Sequence, residues 1–142
     1  MNDTLKLMKE SCRGCKYALE TIKIARGYTK DKELMQVLDE SIRSHEALQS
    51  RISKKIRERG AEEHSHQKIG ATMARLHTNM SLTMNPSSKK VAELMINGCN
   101  MGIKTLSKEK NKDRFADREA RELTDGVIAS EQKMASELLR FL

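Results

Sequence analysis

Two cysteines lie three residues apart in the segment LMKESCRGCKYALETI, which spans residues 7–22. A Cys-x-x-Cys pair can be a redox couple, half of a metal site, or two small residues of a packed core. Apolar or small side chains recur here every three or four residues, a spacing that places both thiols on the buried face of an amphipathic helix. The residues of this seam are Leu5, Met8, Cys12, Cys15, Leu19 and Ile22. Because thioredoxin-like chemistry uses an exposed pair at a helix N-terminus, the mid-helix position disfavours a redox role.

A metal site is the second interpretation of these cysteines. Folding the chain back after the first helix brings residue 15 level with about residue 44. His45 lies there on the seam of a second helix, and Cys99 lies at the middle of a later one. Cys12, Cys15, His45 and Cys99 are therefore predicted to share one layer, with ligands suited to zinc or copper(I). The third reading, of four separate core residues, stays open because cysteine is frequently buried.

A second cluster of residues that can bind metal ions lies in the segment AEEHSHQ. Glu63, His64 and His66 could bind a metal at the surface, or they could form a solvated helix start. Three further carboxylates, Glu119, Glu122 and Glu131, could orient a ligand from the last helix, although most such residues face solvent.

The composition indicates a helical protein. The 142 residues are 33% charged and 3% aromatic, with one proline and seven glycines, a balance that disfavours β-sheet. The length suits one domain over residues 1–142. The start MNDTLKLMKE lacks the pattern of a signal peptide, and no apolar stretch is long enough to span a membrane. We therefore expect a soluble, cytoplasmic protein, where three cysteines do not form a disulfide framework.

The formal net charge of +7 raises the question of a nucleic-acid partner. In segments such as KKIRERGAEEHSH and KEKNKDRFADREARE, however, acidic residues alternate with basic ones. This interleaving is typical of solvated helix faces, and it disfavours nucleic acid as the partner.

The hydrophobic periodicity predicts an all-α fold of five helices, near residues 4–27, 30–59, 63–83, 87–109 and 113–141. Gly27 and Gly60 are expected to end the first two helices, and the segment MNPSSKK supplies Asn85 or Ser87 as a cap for the fourth. The seam of the second helix is Leu34, Leu38, Ser41, His45, Leu48 and Ile52. That of the fifth is Ala120, Leu123, Val127, Met134, Leu138 and Phe141.

The lengths of the connections predict the topology. Short turns join the first helix to the second and the fourth to the fifth, so each pair is expected to be antiparallel. The predicted third helix is long enough to return the chain along the molecule. The expected architecture is a ferritin-like, up-down four-helix bundle with a long helical crossover between two hairpins.

This layout resembles small bacterial ferritin-like bundle families of uncharacterised function. The segments AELMINGCNMGIKTL and ASELLRFL are similar to the second half of such proteins. The resemblance implies a di-metal site built from one Glu on each of two helices and a Glu-x-x-His on each of the other two. This sequence departs from that pattern, because its only Glu-x-x-His joins Glu63 to His66 and the last helix contains no histidine. A di-iron centre is therefore disfavoured.

No nucleophile elbow, phosphate-binding glycine loop or repeated carboxylate motif is present, so the sequence favours a protein that is not an enzyme. The leading hypothesis is a ferritin-like bundle that serves as a binding, storage or stress-related module, with the Cys/His layer as a metal site. One alternative is a structural or protein-interaction bundle with inert core cysteines, dimeric through leftover apolar seams. The other is a basic, nucleic-acid-associated protein.

Overall fold

The computed structural model describes residues 2–63, 69–82 and 86–142. Within these residues the chain forms α-helices and no β-strand, so the all-α prediction is confirmed. The helices are α1 (Asp3–Gly27), α2 (Lys32–Glu58), α3 (Ile69–Leu82), α4 (Ser88–Lys112) and α5 (Arg118–Leu138), followed by a 3₁₀ turn at Leu139–Phe141.

Side-chain caps fix where four of the helices begin. Asn2, Asp31, Ser87 and Asp117 each accept a hydrogen bond from the backbone N–H three residues later, at 2.8–3.1 Å. Such caps satisfy N–H groups that have no partner within the helix. Ser87 is therefore the cap of α4, as one of the two expected residues, whereas Asn85 lies outside the described residues.

Two helix ends differ from the prediction. α4 continues to Lys112 through the polar segment that was expected to be a turn, and α5 begins at Arg118 rather than near 113. The backbone N–H of Ala116 bonds to the carbonyl of Asp113, and Asp117 then caps α5, so the turn lies five residues later in the chain. Gly27 is the last residue of α1 rather than its cap, whereas Gly60 has a φ of 72° just after α2.

The four long helices pack in the cyclic order α1, α2, α5, α4. One core cluster joins the first half of α1 and α5 to the second half of α2 and α4. The other cluster joins the second half of α1 and α5 to the first half of α2 and α4. Each helix therefore runs antiparallel to both of its neighbours, and α1 also contacts α5 across the core.

The connection between the hairpins contains α3, which packs against α1. Met80 is fully buried in the same cluster as Ile22 and Val91. The ring of His77 meets the ring of Tyr28 edge-on, with centroids 6.1 Å apart. The predicted third helix, residues 63–83, is therefore present as a packed helix over Ile69–Leu82, whereas residues 64–68 and 83 lie outside the described residues.

The predicted seams identify most of the core. On α1 the seam is buried except for Leu5, and Leu7 is buried as well. The reason is that α1 contacts three long helices, so its buried face is wider than a heptad seam. On α2 and α5 the exceptions are Leu48 and Phe141, which are half-buried.

The turn between α4 and α5 is attached to the start of α1. The backbone N–H of Phe115 donates to Asp3 Oδ2 at 3.0 Å, and that of Asp117 donates to Thr4 Oγ1 at 2.9 Å. Asp113 is buried beneath this contact, with Lys6 Nζ 3.4 Å from its Oδ1. These bonds fix one end of the bundle.

No helix in the described ranges combines the length and the apolar character that crossing a bilayer requires.

Replacement of the α5 cap tests how strongly these ends are held. We expect Asp117→Ala to lower the free energy of unfolding by about 1 kcal/mol, because the N–H of Ala120 loses its acceptor. Urea denaturation measures the change. Asp117→Asn is the matched control: it keeps the cap but removes the charge that faces Arg59 Nη2 at 2.7 Å, an exposed pair worth little. Equal losses in the two variants would contradict the capping role.

Candidate functional site

Each of the four long helices places one buried side chain of a kind that binds metal ions, a thiol, an imidazole or a carboxylate, in the middle of the bundle. We call Cys15, His45, Cys99 and Glu131 the central layer; their exposed fractions are 0%, 0%, 1% and 4%. Hydrogen bonds connect the four, as described below. The layer lies where the two core clusters meet, with Cys15 in one cluster and Cys99 in the other.

The imidazole of His45 is held from two sides. Nδ1 lies 2.8 Å from the carbonyl oxygen of Ser41, and since that oxygen only accepts, we assign a hydrogen to Nδ1. On the other side, Nε2 lies 3.2 Å from Glu131 Oε1. The ring therefore links α2 to α5 through the core.

One further hydrogen must lie between Nε2 and Oε1, because otherwise two lone pairs would face each other. The hydrogen is carried either by an imidazolium facing a carboxylate or by a carboxyl group facing a neutral imidazole. In both forms His45 and Glu131 together have no net charge. The core thus contains two polar groups without burying an uncompensated charge, which would be far more costly.

Cys15 and Cys12 use their thiols within the core. Cys15 Sγ donates to the carbonyl oxygen of His45 at 3.2 Å, and Cys12 Sγ lies 3.5 Å from Ser53 Oγ. Burial, followed by the charges of Cys12 and Glu131, raises the pKa of Cys15 to about 12. Burial also raises the pKa of Cys12. Because redox and nucleophilic cysteines need a lowered pKa, these raised values disfavour a redox or nucleophilic role for the pair.

Cys99 faces Glu131 from α4. Burial is the largest cause that raises the pKa of this thiol, and the Glu131 carboxylate raises it further through its charge and through a hydrogen bond with the thiol. Gly102, one turn later, lies next to the carboxylate: a Cβ there would be in ordinary van der Waals contact with Glu131 Cδ, at 3.7 Å. Glu131 is therefore the residue on which the imidazole and the Cys99 thiol converge.

The predicted metal ligands are brought to one region, but each has a protein partner of its own. In the part of the chain that the structure describes, no group of three or more His, Cys, Asp or Glu side chains is placed so that it could hold a metal ion. Cys12 packs against Ser53 on the side of the bundle formed by α1 and α2. Metal binding by Cys12, Cys15, His45 and Cys99 therefore stays a prediction.

The second predicted cluster is only partly described. Glu63 forms an ion pair with Lys16, which ties the segment after α2 to α1. Burial of Glu63 is the largest single cause and opposes its ionisation. The hydrogen bonds with Lys16 and Ser53 and the charges of Lys16 and Arg57 together outweigh it, so the pKa of Glu63 is lowered. His64 and His66 lie outside the described residues.

Glu131 is buried, unlike the sequence-based prediction for the carboxylates of the last helix. Such a residue can orient a ligand but is expected to face solvent, whereas Glu131 is 4% exposed. A signal was present: Val127, Glu131, Met134 and Leu138 are spaced four, three and four residues apart, which puts the carboxylate on the core seam. A buried acidic residue on an apolar seam requires a hydrogen-bond partner, and His45 is that partner.

A surface cleft lies away from the central layer. It has a volume of about 500 Å³ between α2 and the end of α5. The lining residues are Gln36, Val37, Glu40, Ser136, Glu137 and Arg140. None of the four residues of the central layer lines this cleft.

Comparisons with known proteins found no counterpart: no protein-family model matches this chain, and no curated protein or solved structure is significantly similar to it.

Removal of the Glu131 side chain tests the central layer. We expect Glu131→Ala to lower the free energy of unfolding by about 3 kcal/mol or more, because Nε2 of His45, which is fully buried, loses its hydrogen-bond partner. Glu131→Gln keeps a hydrogen-bonding group and should lose less. Glu122→Ala on the same helix is the control, since its carboxylate is exposed and forms a surface ion pair with Arg118. If chemical denaturation shows the same loss of unfolding free energy for Glu131→Ala and Glu122→Ala, the hydrogen bond between His45 and Glu131 is refuted.

The thiols give a pH prediction with a definite sign. Their folded pKa values lie above the ordinary 9.0, so the folded state keeps protons that the unfolded chain releases. The stability from these protonated thiols is complete below pH 9.0 and is lost as the pH rises towards about 12. The loss is up to about 1.4 kcal/mol per pH unit for each thiol.

The measurement is the free energy of unfolding between pH about 8 and about 10.5. It compares the protein with a variant in which all three cysteines are replaced by alanine. Equal slopes for the two proteins would show that the thiols are ionised in the fold.

Proposed function

We propose that this chain is a non-enzymatic, ferritin-like four-helix bundle that acts as a binding module through its surface. The packing order supports the ferritin-like assignment, since two antiparallel hairpins are joined by a connection that contains one helix. In this proposal the central layer is a structural element that holds the four helices in register.

The observation that carries the proposal is that the polar groups of the central layer bond to one another and to the backbone. Cys15 donates to the backbone, and the His45 ring lies between Ser41 and Glu131. Cys99 bonds to Glu131. A reaction centre needs groups that are open to a substrate, and these groups are buried and occupied by each other.

The positions beside the layer also argue against di-iron chemistry. Ferritin-like di-metal proteins carry Glu-x-x-His on two helices. Here α2 has Ile42 three residues before His45, and α5 has Met134 three residues after Glu131. Each of these helices therefore has one half of the motif, and α1 and α4 supply thiols at this level instead of carboxylates.

Capture of a thiophilic metal ion is a second candidate function. One observation favours it: the four side chains of the central layer, one from each long helix, are buried next to one another. As they lie in the structure they do not form a group that could hold a metal ion, so binding requires these side chains to move. Zinc or copper(I) accepts such ligands once the thiols lose their protons. This set includes Glu131 and leaves out Cys12, which bonds to Ser53.

Metal titration separates the two candidates. If the layer is structural, protein purified without added metal should contain no stoichiometric zinc or copper, and zinc should leave its melting temperature unchanged. One zinc per chain, with a rise in melting temperature that Cys99→Ser and Cys15→Ser both abolish, would establish the second candidate. Cys12→Ser is the matched control, because its thiol is equally buried but lies outside the layer.

Aerobic addition of Fe(II) tests the absence of enzymatic activity. We expect oxidation no faster than in buffer alone, since the helices supply one buried carboxylate to the layer instead of four. Saturable oxidation that Glu131→Gln abolishes would overturn the non-enzymatic assignment.

A further inference from the structure

The positive charge of the molecule is concentrated on one side of the bundle. α1 and α4 pack side by side, and α2 and α5 pack together on the opposite side. α1 has six Lys or Arg against three Asp or Glu, and α4 has six against two. α2 has six against five, and α5 has three against five. The first pair of helices therefore has a formal charge of +7 and the second pair −1.

The outer surface of α4 carries a row of exposed lysines. Lys104, Lys108 and Lys112 are four residues apart, so they lie on one face of the helix within about 12 Å. None of them forms an ion pair with any residue that the structure describes, whereas Lys110 on another face lies 2.6 Å from Asp125. Like charges at this spacing destabilise a helix, so the row lowers the stability of α4.

Two exposed apolar side chains lie at the ends of this row. Met101, which is 64% exposed, comes one turn before Lys104. Phe115, which is 80% exposed, follows the row in the turn after α4, with the Arg114 guanidinium 5.2 Å from its ring centroid. The backbone of Phe115 is bonded to Asp3. An aromatic ring is therefore presented to solvent from a fixed point beside a row of cations.

We propose that this surface, the basic stripe, binds the phosphate backbone of a single-stranded nucleic acid, with Phe115 stacking on an unpaired base. The proposal rests on the proposed function, because it names the partner of the binding surface. A row of cations beside an aromatic ring is the usual arrangement for binding single strands without sequence preference. The stripe consists of Met101, Lys104, Lys108, Lys112, Arg114 and Phe115.

The alternation of acidic and basic residues along the sequence pointed away from such a partner. In the folded protein Asp125 of α5 pairs with Lys110 on another face of α4. No acidic residue that the structure describes forms an ion pair with the three lysines of the row, so the alternation does not neutralise the stripe. A lipid surface fits less well, since membrane-binding helices present a continuous apolar face and the stripe has only two large apolar side chains.

Fluorescence anisotropy with a labelled oligothymidylate of about 20 nucleotides tests the proposal. Three neutralised phosphates predict a slope of about −2 for log affinity against log salt. Raising the salt from about 50 to about 200 mM should then weaken binding roughly 20-fold. Phe115→Ala should weaken the single-strand complex at least about fivefold and leave any duplex binding unchanged.

Charge reversal provides the matched control. Lys104→Glu/Lys108→Glu/Lys112→Glu should abolish binding, and the corresponding lysine-to-glutamine variant should reduce the salt slope by about two. Arg43→Glu/Arg51→Glu/Lys54→Glu changes the net charge by the same amount on exposed positions of α2 and should keep most of the affinity. Circular dichroism verifies the fold of each variant.

Several outcomes would overturn the proposal. These are equal losses in the two reversal variants, equal affinity for duplex and single strand, or binding only to vesicles of anionic lipid. Absence of oligonucleotide binding, in protein that still takes up no metal and oxidises no iron, would reject this partner and leave the non-enzymatic bundle in place.

Discussion

His45 and Glu131 are 86 residues apart in the chain and meet in the middle of the bundle, with Nε2 3.2 Å from Oε1. The other polar contacts of the central layer are made to these same two residues. Cys99 bonds to the same carboxylate, and the backbone of His45 accepts from Cys15. Because both side chains are almost fully buried, neither could be tolerated there without the other.

The pair also specifies how the helices are arranged. Apolar seams of Leu, Ile and Met can slide past one another by a turn with little loss, whereas a shift of α5 against α2 would leave the imidazole unpaired. A second buried contact acts in the same way: Ser11 and Thr124 lie 2.7 Å apart between α1 and α5. Polar contacts thus join α1, α2, α4 and α5 at defined levels, while apolar packing provides most of the stability.

Core and surface have separate roles in this view. The interior groups are occupied by one another, and the thiols are kept protonated by burial. The outer faces differ in charge from one side of the bundle to the other, and an exposed aromatic ring lies beside the more basic side. The surface is therefore the part of the protein that can bind a partner, and the packing of the interior maintains the shape of that surface.

The sequence by itself determined the helices and most of their buried faces, because periodicity depends on local spacing alone. It also predicted that Cys12, Cys15, His45 and Cys99 share one layer, and the structure places all of these residues except Cys12 in the central layer. Tertiary structure decided what these residues do: Cys12 packs against Ser53, and Glu131 takes its place beside the imidazole. It also decided which side of the bundle is basic. Pairings between helices depend on rotation and packing order, which the spacing along one helix does not contain.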